Sequence, residues 1–320
     1  MQTNQPSNSV SDWAGKRVFI TGGTGFLGTH LAKRLHGLGA QLGLFIHTRE
    51  SPLSAKRIYG NLQYSAITLR PFLQAFKPDV VFHLASQPLV SKAMYDEITT
   101  LETNIGGTYR VLHACKELGL KSFVHISTDK VYGDISPIKK STPMNGVRHP
   151  YNASKYASDV VAQMYGNFFE IPMVVIRNAN VYGAGDTHFD RIVPRTIFNV
   201  IRGEPPVIRG DGKNTRDYIH VDDLVDGYMK SALLPPDRKM TILNLSGFNY
   251  STLEVIDTVL EKMGRVDLAP VYEKQWKGEI PHQHIENDLA KELIDWNPKN
   301  DLKSGLDKTI PWYLENYGHR

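Results

Sequence analysis

An α/β fold, a doubly wound parallel sheet followed by a smaller C-terminal lobe, is predicted by three observations on this 320-residue chain. Short apolar runs recur between segments with helical spacing, the first run leads into a glycine-rich turn, and after about position 180 the texture shifts to glycine, proline and charge. Alternating strands and helices imply parallel strands covered on both faces.

The first element is an expected absence. Residues 1–14 are polar without a hydrophobic signal core and read as a disordered leader. Lys16-Arg17-Val18-Phe19-Ile20 is a buried-strand pattern that enters Thr21-Gly22-Gly23-Thr24-Gly25-Phe26-Leu27-Gly28 and then helical spacing through Leu31, Leu35 and Leu38. Leu42-Gly43-Leu44-Phe45-Ile46 gives the next strand. Asp79–Ala85, Ser122–Ser127 and Met173–Arg177 repeat the theme, each after a plausible helix. This is the spacing of a Rossmann-type dinucleotide-binding domain, placed over 15–180. A substrate-binding lobe follows over 181–320, opening with Gly183-Ala184-Gly185-Asp186 and continuing through Arg202-Gly203-Glu204-Pro205-Pro206. Tyr218–Leu224 and Ile242–Leu245 look like strands, so segments near 214–247 are expected to return to the main sheet and leave the lobe discontinuous.

Composition narrows the function classes. Hydrophobic content of 41% with 22% charged residues describes an ordinary soluble globular chain. A net charge of +4 helps attract a small anion, but no run of lysine and arginine supports a nucleic-acid partner. The one cysteine, Cys115 in Val111-Leu112-His113-Ala114-Cys115, excludes an internal disulfide, reads as a core position and fits a reducing, cytoplasmic setting. No apolar stretch reaches the roughly eighteen residues of a membrane helix.

The chemistry-bearing residues begin with the glycines. Gly22-x-x-Gly25-x-x-Gly28 and Gly23-x-Gly25-x-x-Gly28 both let backbone approach a pyrophosphate at the positive end of the next helix. Tyr151 and Lys155 stand four apart, on one face of a helix, where an ammonium favours the phenolate and lets tyrosine act as a base closer to neutral pH. Alone, such a pair reads as a surface feature of an amphipathic helix; together with the glycine loop and Thr128-Asp129-Lys130 it outlines a nicotinamide enzyme acting on an alcohol. About twenty residues past the loop, where NAD sites place an acidic residue, the chain has His47-Thr48-Arg49 and then Glu50. Thr48 and Arg49 suit the 2′-phosphate of NADP; the alternative is NAD, with Glu50 on the ribose and Arg49 in solvent.

Taken together, Thr21–Gly28, His83-Leu84-Ala85, Asn104-Ile105-Gly106-Gly107-Thr108, Tyr151-x-x-x-Lys155, Asn180-Val181-Tyr182-Gly183 and Arg216-Asp217-Tyr218-Ile219-His220-Val221-Asp222-Asp223 carry a resemblance. The chain resembles the extended short-chain dehydrogenase/reductases that modify nucleotide sugars. Ser127-Thr128-Asp129-Lys130-Val131-Tyr132-Gly133 is similar to the 4,6-dehydratase branch, with lysine in the usual glutamate position as in CDP-glucose 4,6-dehydratases and some UDP-N-acetylglucosamine dehydratases. His83–Val90 and Gly185–Pro194 resemble the CDP-glucose enzymes most.

The resemblance implies a nucleotide-diphosphate hexose substrate and a division of labour. Cofactor contacts fall to Gly22, Thr24, Gly25, Phe26, Leu27, Gly28, Thr48, Arg49, Leu84, Ala85, Ser86, Tyr151 and Lys155. Tyr151 takes the C4 hydroxyl proton as hydride leaves C4, Lys155 supports the phenolate and the nicotinamide ribose, and Thr128 bonds the sugar oxygen. Asp129 is the acid that expels O6. Lys130 stands in the place of the base that removes H5, or acts as an ammonium stabilising the enolate. Gln87, Asn104, Asn180, Arg191 and Arg216 are the implied substrate contacts, with Arg202 and Arg209 left to the rim. An epimerase of the same family is the alternative reaction, since it needs no acid at O6; a catalytically silent nucleotide-binding module is a third reading. The family's adenine-contacting aspartate has no counterpart in Asn61-Leu62-Gln63-Tyr64. His282 and His284 alternate without a third ligand nearby, so no metal is expected. A homodimer is expected, because helical patterns around 91–118 and 151–168 correspond to the helices that pair in the family.

Overall fold

The computed structural model describes residues 9–318 except 65, 140, 236, 239 and 275–280. Seven parallel strands form the main sheet. Before it, α1 (Val10–Trp13) overturns part of the expected leader: Ser9 and Asp12 close a capping box, and Trp13 is fully buried with its ring 6.3 Å from that of Phe82. One tryptophan in a polar stretch is enough to dock the turn, a contact that no periodicity announces. Residues 1–8 of the expected leader lie outside the described residues.

The chain then alternates through β1 (Arg17–Thr21), α2 (Phe26–Gly37), β2 (Gln41–Ile46), β3 (Lys56–Tyr59), α3 (Ala66–Phe76) and β4 (Val80–His83). In β1, Val18 and Ile20 enter the core layer with Leu31 and Leu35, whereas Phe19 enters the opposite layer with Leu69, Leu73 and Phe76. The two-residue period of the strand thus feeds both faces. Edge strand β3, missed because Lys56-Arg57-Ile58-Tyr59 lacks a buried pattern, is largely exposed and charged, which discourages further pairing.

The helical pattern expected over 91–118 is broken. It divides into α4 (Val90–Ala93), α5 (Glu97–Leu101), a π-turn at Glu102–Gly106 and α6 (Gly107–Cys115). Gly107 allows the close approach of Leu62, since a Cβ there would stand 3.1 Å from the leucine Cβ. Cys115 is buried, and burial pushes its thiol well above the ordinary range, so it is a core residue. Next come β5 (Ser122–Thr128), a 3₁₀ turn (Asp129–Tyr132), α7 (Pro150–Phe168), β6 (Met173–Asn178) and β7 (Asn180–Tyr182).

The second lobe adds α8 (Ile192–Ile201), β8 (Val207–Arg209), β9 (Thr215–His220), α9 (Val221–Ala232), β10 (Met240–Leu245), β11 (Phe248–Ser251), α10 (Thr252–Lys262), β12 (Val271–Glu273), α11 (Asp288–Ile294) and α12 (Leu302–Tyr317). Sheet order is β10-β6-β5-β4-β1-β2-β3, so β10 joins the main sheet and α9 packs beneath it on β5 and β6. The segment Tyr218–His220 does not return there. It lies in β9, inside a separate three-stranded sheet ordered β11-β9-β7. The lobe has its own core around Val193, Ile197, Tyr218, Val255, Leu306 and Tyr313. Among the described residues no helix is long and apolar enough to cross a membrane.

Candidate active site

The glycine turn and the Leu84–Ser86 loop follow the carboxyl ends of β1 and β4, and Thr128 is the last residue of β5, all on the edge at which such sheets form ligand clefts. The turn's geometry excludes side chains. Gly22 has φ +72°, and a Cβ on it would lie 2.7 Å from the Ala85 nitrogen; a Cβ on Gly28 would lie 2.0 Å from the Gly22 carbonyl oxygen. Helix α2 starts from Gly25 with no side-chain cap, leaving its first N–H groups available to an anion. Thr24, Phe26, Leu27, Leu84, Ala85 and Ser86 are half-buried around that end. These features fit the pyrophosphate of a dinucleotide. Below them, His83 links Thr21 Oγ1 (2.7 Å) to Thr108 Oγ1 (3.0 Å), and burial followed by the Lys155 charge holds it neutral, with a pKa of about 3.

Thr48 and Arg49 are exposed beyond the end of β2. Arg49 is near enough to His188 of the second lobe to disfavour its protonation. Glu50 turns toward β3, accepting from the Tyr59 hydroxyl at 3.3 Å with the Arg57 guanidinium 3.9 Å away.

Helix α7 carries Tyr151 and Lys155. Pro150 occupies its first turn, and His149 Nδ1 accepts from the Tyr151 N–H at 3.1 Å. The expectation that lysine lowers the tyrosine pKa needs correction in this geometry. Lys155 Nζ donates to the Ile126 carbonyl at 2.6 Å, and burial, opposed by Asp159, lowers it to about 8. Tyr151 is pushed up to about 12 because burial penalises the phenolate; Arg191 and a hydrogen bond with Thr128 pull down, while Asp129 adds to the rise. The desolvation of the phenolate outweighs its positive neighbours.

After β5 the 3₁₀ turn places Thr128, Asp129 and Lys130 together. Thr128 Oγ1 donates to Asp129 Oδ1 at 2.9 Å, and Lys130 Nζ donates to Asp129 Oδ2 at 3.1 Å and to Gln283 Oε1. Asp129 is buried and Lys130 nearly so. Burial lowers the Lys130 pKa; Asp129 opposes this and Arg216 adds to it. Behind the turn, Tyr132 accepts from Arg177 at 2.9 Å and donates to Asn244 at 2.8 Å, while Arg177 holds Asp159 through Nε and Nη2, both at 3.0 Å. Ser127 donates to the same carboxylate at 2.6 Å, so α7, β5 and β6 are tied to the turn through buried polar groups.

Two expected substrate contacts are used elsewhere. The π-turn directs Asn104 inward, where it accepts from the Gln87 N–H at 2.7 Å and donates to Gln87 O and to Ser154 Oγ. Gln87 spends its own amide on Leu89 and Thr100. Both are buried, so they brace the loop under the cleft instead of reaching into it. Arg191 lies near enough to Tyr151, and Arg216 to Lys130, for their charges to act on those groups. Arg191 Nη1 pairs with buried Asp186 at 2.9 Å, Arg216 Nη1 donates to Thr215 O at 2.8 Å, and Asn180 Nδ2 donates to Asp217 O at 3.2 Å. Arg202 is paired with Glu204, and Arg209 lies 3.8 Å from Glu273. His282 lies 3.3 Å from Thr215 and His284 3.1 Å from Asp217. No motif points to Gln283, Asp159 or Arg177, and Asp217 stands in the Arg216–Asp223 motif without a role of its own; the fold joins all four to the site.

A doubly wound sheet, an uncapped helix end at a glycine turn and a half-buried tyrosine with a buried lysine one helical turn on define the short-chain dehydrogenase/reductase class, in its extended form with a second lobe. The chain belongs to the NAD dependent epimerase/dehydratase family, whose description matches residues 18–244. It is 30% identical over 319 residues to dTDP-glucose 4,6-dehydratase of Mycolicibacterium smegmatis, covering 94% of each chain. UDP-glucose 4-epimerase of the same species is 29% identical over 313 residues, 93% of this chain and 98% of the other. The solved structure of UDP-glucuronic acid 4-epimerase from Bacillus cereus, in complex with UDP-glucuronic acid and NAD, matches with a TM-score of 0.86 at 26% identity, over 94% of this chain and 100% of that one.

Proposed function

We propose that the protein is an NAD(P)-dependent NDP-hexose 4,6-dehydratase, with CDP-glucose the first substrate to test. The observation that carries this reading is the contact between Lys130 Nζ and Asp129 Oδ2 beside Thr128. Burial lowers the Lys130 pKa, which eases its passage to the neutral amine that a base must be, and the contact sets the carboxyl of Asp129 beside it.

A nicotinamide cofactor, held by the Gly22–Gly28 turn with Lys155 at its ribose, would supply a hydride acceptor for C4 and a hydride donor for C6. Tyr151 takes the O4 proton as a phenolate, reached by loss of its phenol proton to solvent, while Thr128 bonds the sugar oxygen. The C4 ketone acidifies H5, which neutral Lys130 removes, while protonated Asp129 gives its proton to O6 and water leaves. Lys130 then returns a proton to C5. The proton gained by Tyr151 balances the one lost by Asp129, and exchange with solvent resets both. Arg191 and Arg216 hold the diphosphate.

The epimerase relative supports a second reading, inversion at C4 through the same Tyr151 and Thr128 without any use of Asp129 as an acid. A panel of CDP-, dTDP- and UDP-hexoses, read by mass spectrometry for loss of water, separates the two. Isomerised product of unchanged mass would overturn the dehydratase reading.

The cofactor choice rests on Thr48 and Arg49. That Glu50 is turned toward Arg57 and Tyr59 supports reading Arg49 as the partner of a 2′-phosphate. NADP is the proposed cofactor, with NAD the alternative favoured by the Bacillus cereus complex. Arg49→Asp should weaken NADP relative to NAD by about tenfold or more, the loss expected for a charge-assisted contact. Calorimetry on the unmodified protein showing equal affinity for both would remove the basis of this proposal.

The proposal extends to a homodimer. Met94, Tyr95 and Ile98 are exposed beside α7, on which Val160, Met164 and Phe168 form an exposed stripe at four-residue spacing. Helix α5 packs on α7, and an isologous contact along these helices would bury both sets of side chains. Light scattering should give about twice 36.0 kDa at micromolar concentration. A monomer there would count against it.

A further inference from the structure

We propose that the side-chain amide of Gln283 is a hexose-recognition group, its Oε1 oriented by Lys130 and its Nε2 donating to an oxygen of the sugar. The proposal rests on the reading that the hexose lies between Tyr151 and the Asp129–Lys130 pair. An ammonium can only donate, so its contact with Gln283 must be to the amide oxygen, which turns the NH₂ group away from Lys130. That Nε2 is buried and has no acceptor among the described protein atoms, although the residue is 1% exposed. A buried donor left unmet is destabilising and calls for a partner, which a sugar hydroxyl supplies.

The backbone holds the amide in place. Gln283 N–H donates to Thr215 O at 3.1 Å, and Gln283 O accepts from Asn249 Nδ2 at 2.8 Å. Buried Asp217 anchors the same segment, accepting from Ile285 N–H at 2.7 Å, Ser246 Oγ at 2.6 Å and Asn249 Nδ2 at 2.7 Å. Such fixing is what a recognition group needs and more than a surface glutamine would show.

Calorimetry on the full chain tests this with Gln283→Leu and Gln283→Glu, comparing CDP-, UDP- and dTDP-glucose with CDP, UDP and dTDP. Glutamate keeps an acceptor for Lys130 but removes the donor. Both variants should weaken the nucleotide sugars by about tenfold while changing the nucleoside diphosphates by no more than about twofold. Equal weakening of sugars and diphosphates would mark a purely structural role and overturn the proposal. Glutamate binding the sugars as well as glutamine would remove the donor role. If the unmodified protein binds no nucleotide sugar more tightly than its diphosphate, the placement of the hexose fails along with it; tighter sugar binding that survives both substitutions sinks only the Gln283 assignment.

Discussion

Tyr151→Phe should abolish both cofactor reduction and loss of water, lowering kcat by about 10²–10⁴-fold, the range expected for removal of a general base. The substitution removes one oxygen from a side chain whose pKa is already pushed up to about 12, so the resting form at neutral pH is the neutral phenol. Substrate binding should therefore change little. Stopped-flow absorbance of reduced nicotinamide is the direct measurement. A variant that still reduces its cofactor at the normal rate on adding substrate would dismiss Tyr151 as the base at O4.

Asp129→Asn should split the reaction. Oxidation at C4 should persist, because Tyr151 and Thr128 remain, and reduced cofactor should accumulate with substrate. The 4-keto-6-deoxy product should fall by about 10²-fold or more, since asparagine cannot protonate O6. It also leaves Lys130 without the carboxylate that Nζ contacts at 3.1 Å. In heavy water the unmodified enzyme should place one deuterium at C5, because Lys130 exchanges with solvent, while hydrogen carried from C4 to C6 stays unexchanged. Normal dehydration by the variant would defeat the assignment of Asp129 as the acid.

The parts of the site that are legible in the sequence are those built from neighbours along the chain. Gly22–Gly28 is readable because strand, turn and helix follow within one crossover, and Tyr151 and Lys155 because one helical turn joins them. Strands β1, β2, β4, β5 and β6 announce themselves as apolar runs, being buried on both faces. Gln87 and Asn104 misled for the complementary reason: an amide in a motif looks the same whether it faces a ligand or a backbone, and here a π-turn sends Asn104 inward.

By itself the sequence determined the doubly wound fold, the dinucleotide loop and the order of Thr128, Asp129, Lys130, Tyr151 and Lys155, since each depends on local spacing. Tertiary structure alone decided which distant groups tune them. Gln283 reaches Lys130 only because Thr215 bridges His282 and β9 pairs with β11, contacts between segments far apart in the chain. The protonation of Tyr151, Lys155 and Lys130 belongs to the same category. Burial is the leading cause at each, and desolvation depends on everything packed around a group in three dimensions, which no spacing along the chain encodes.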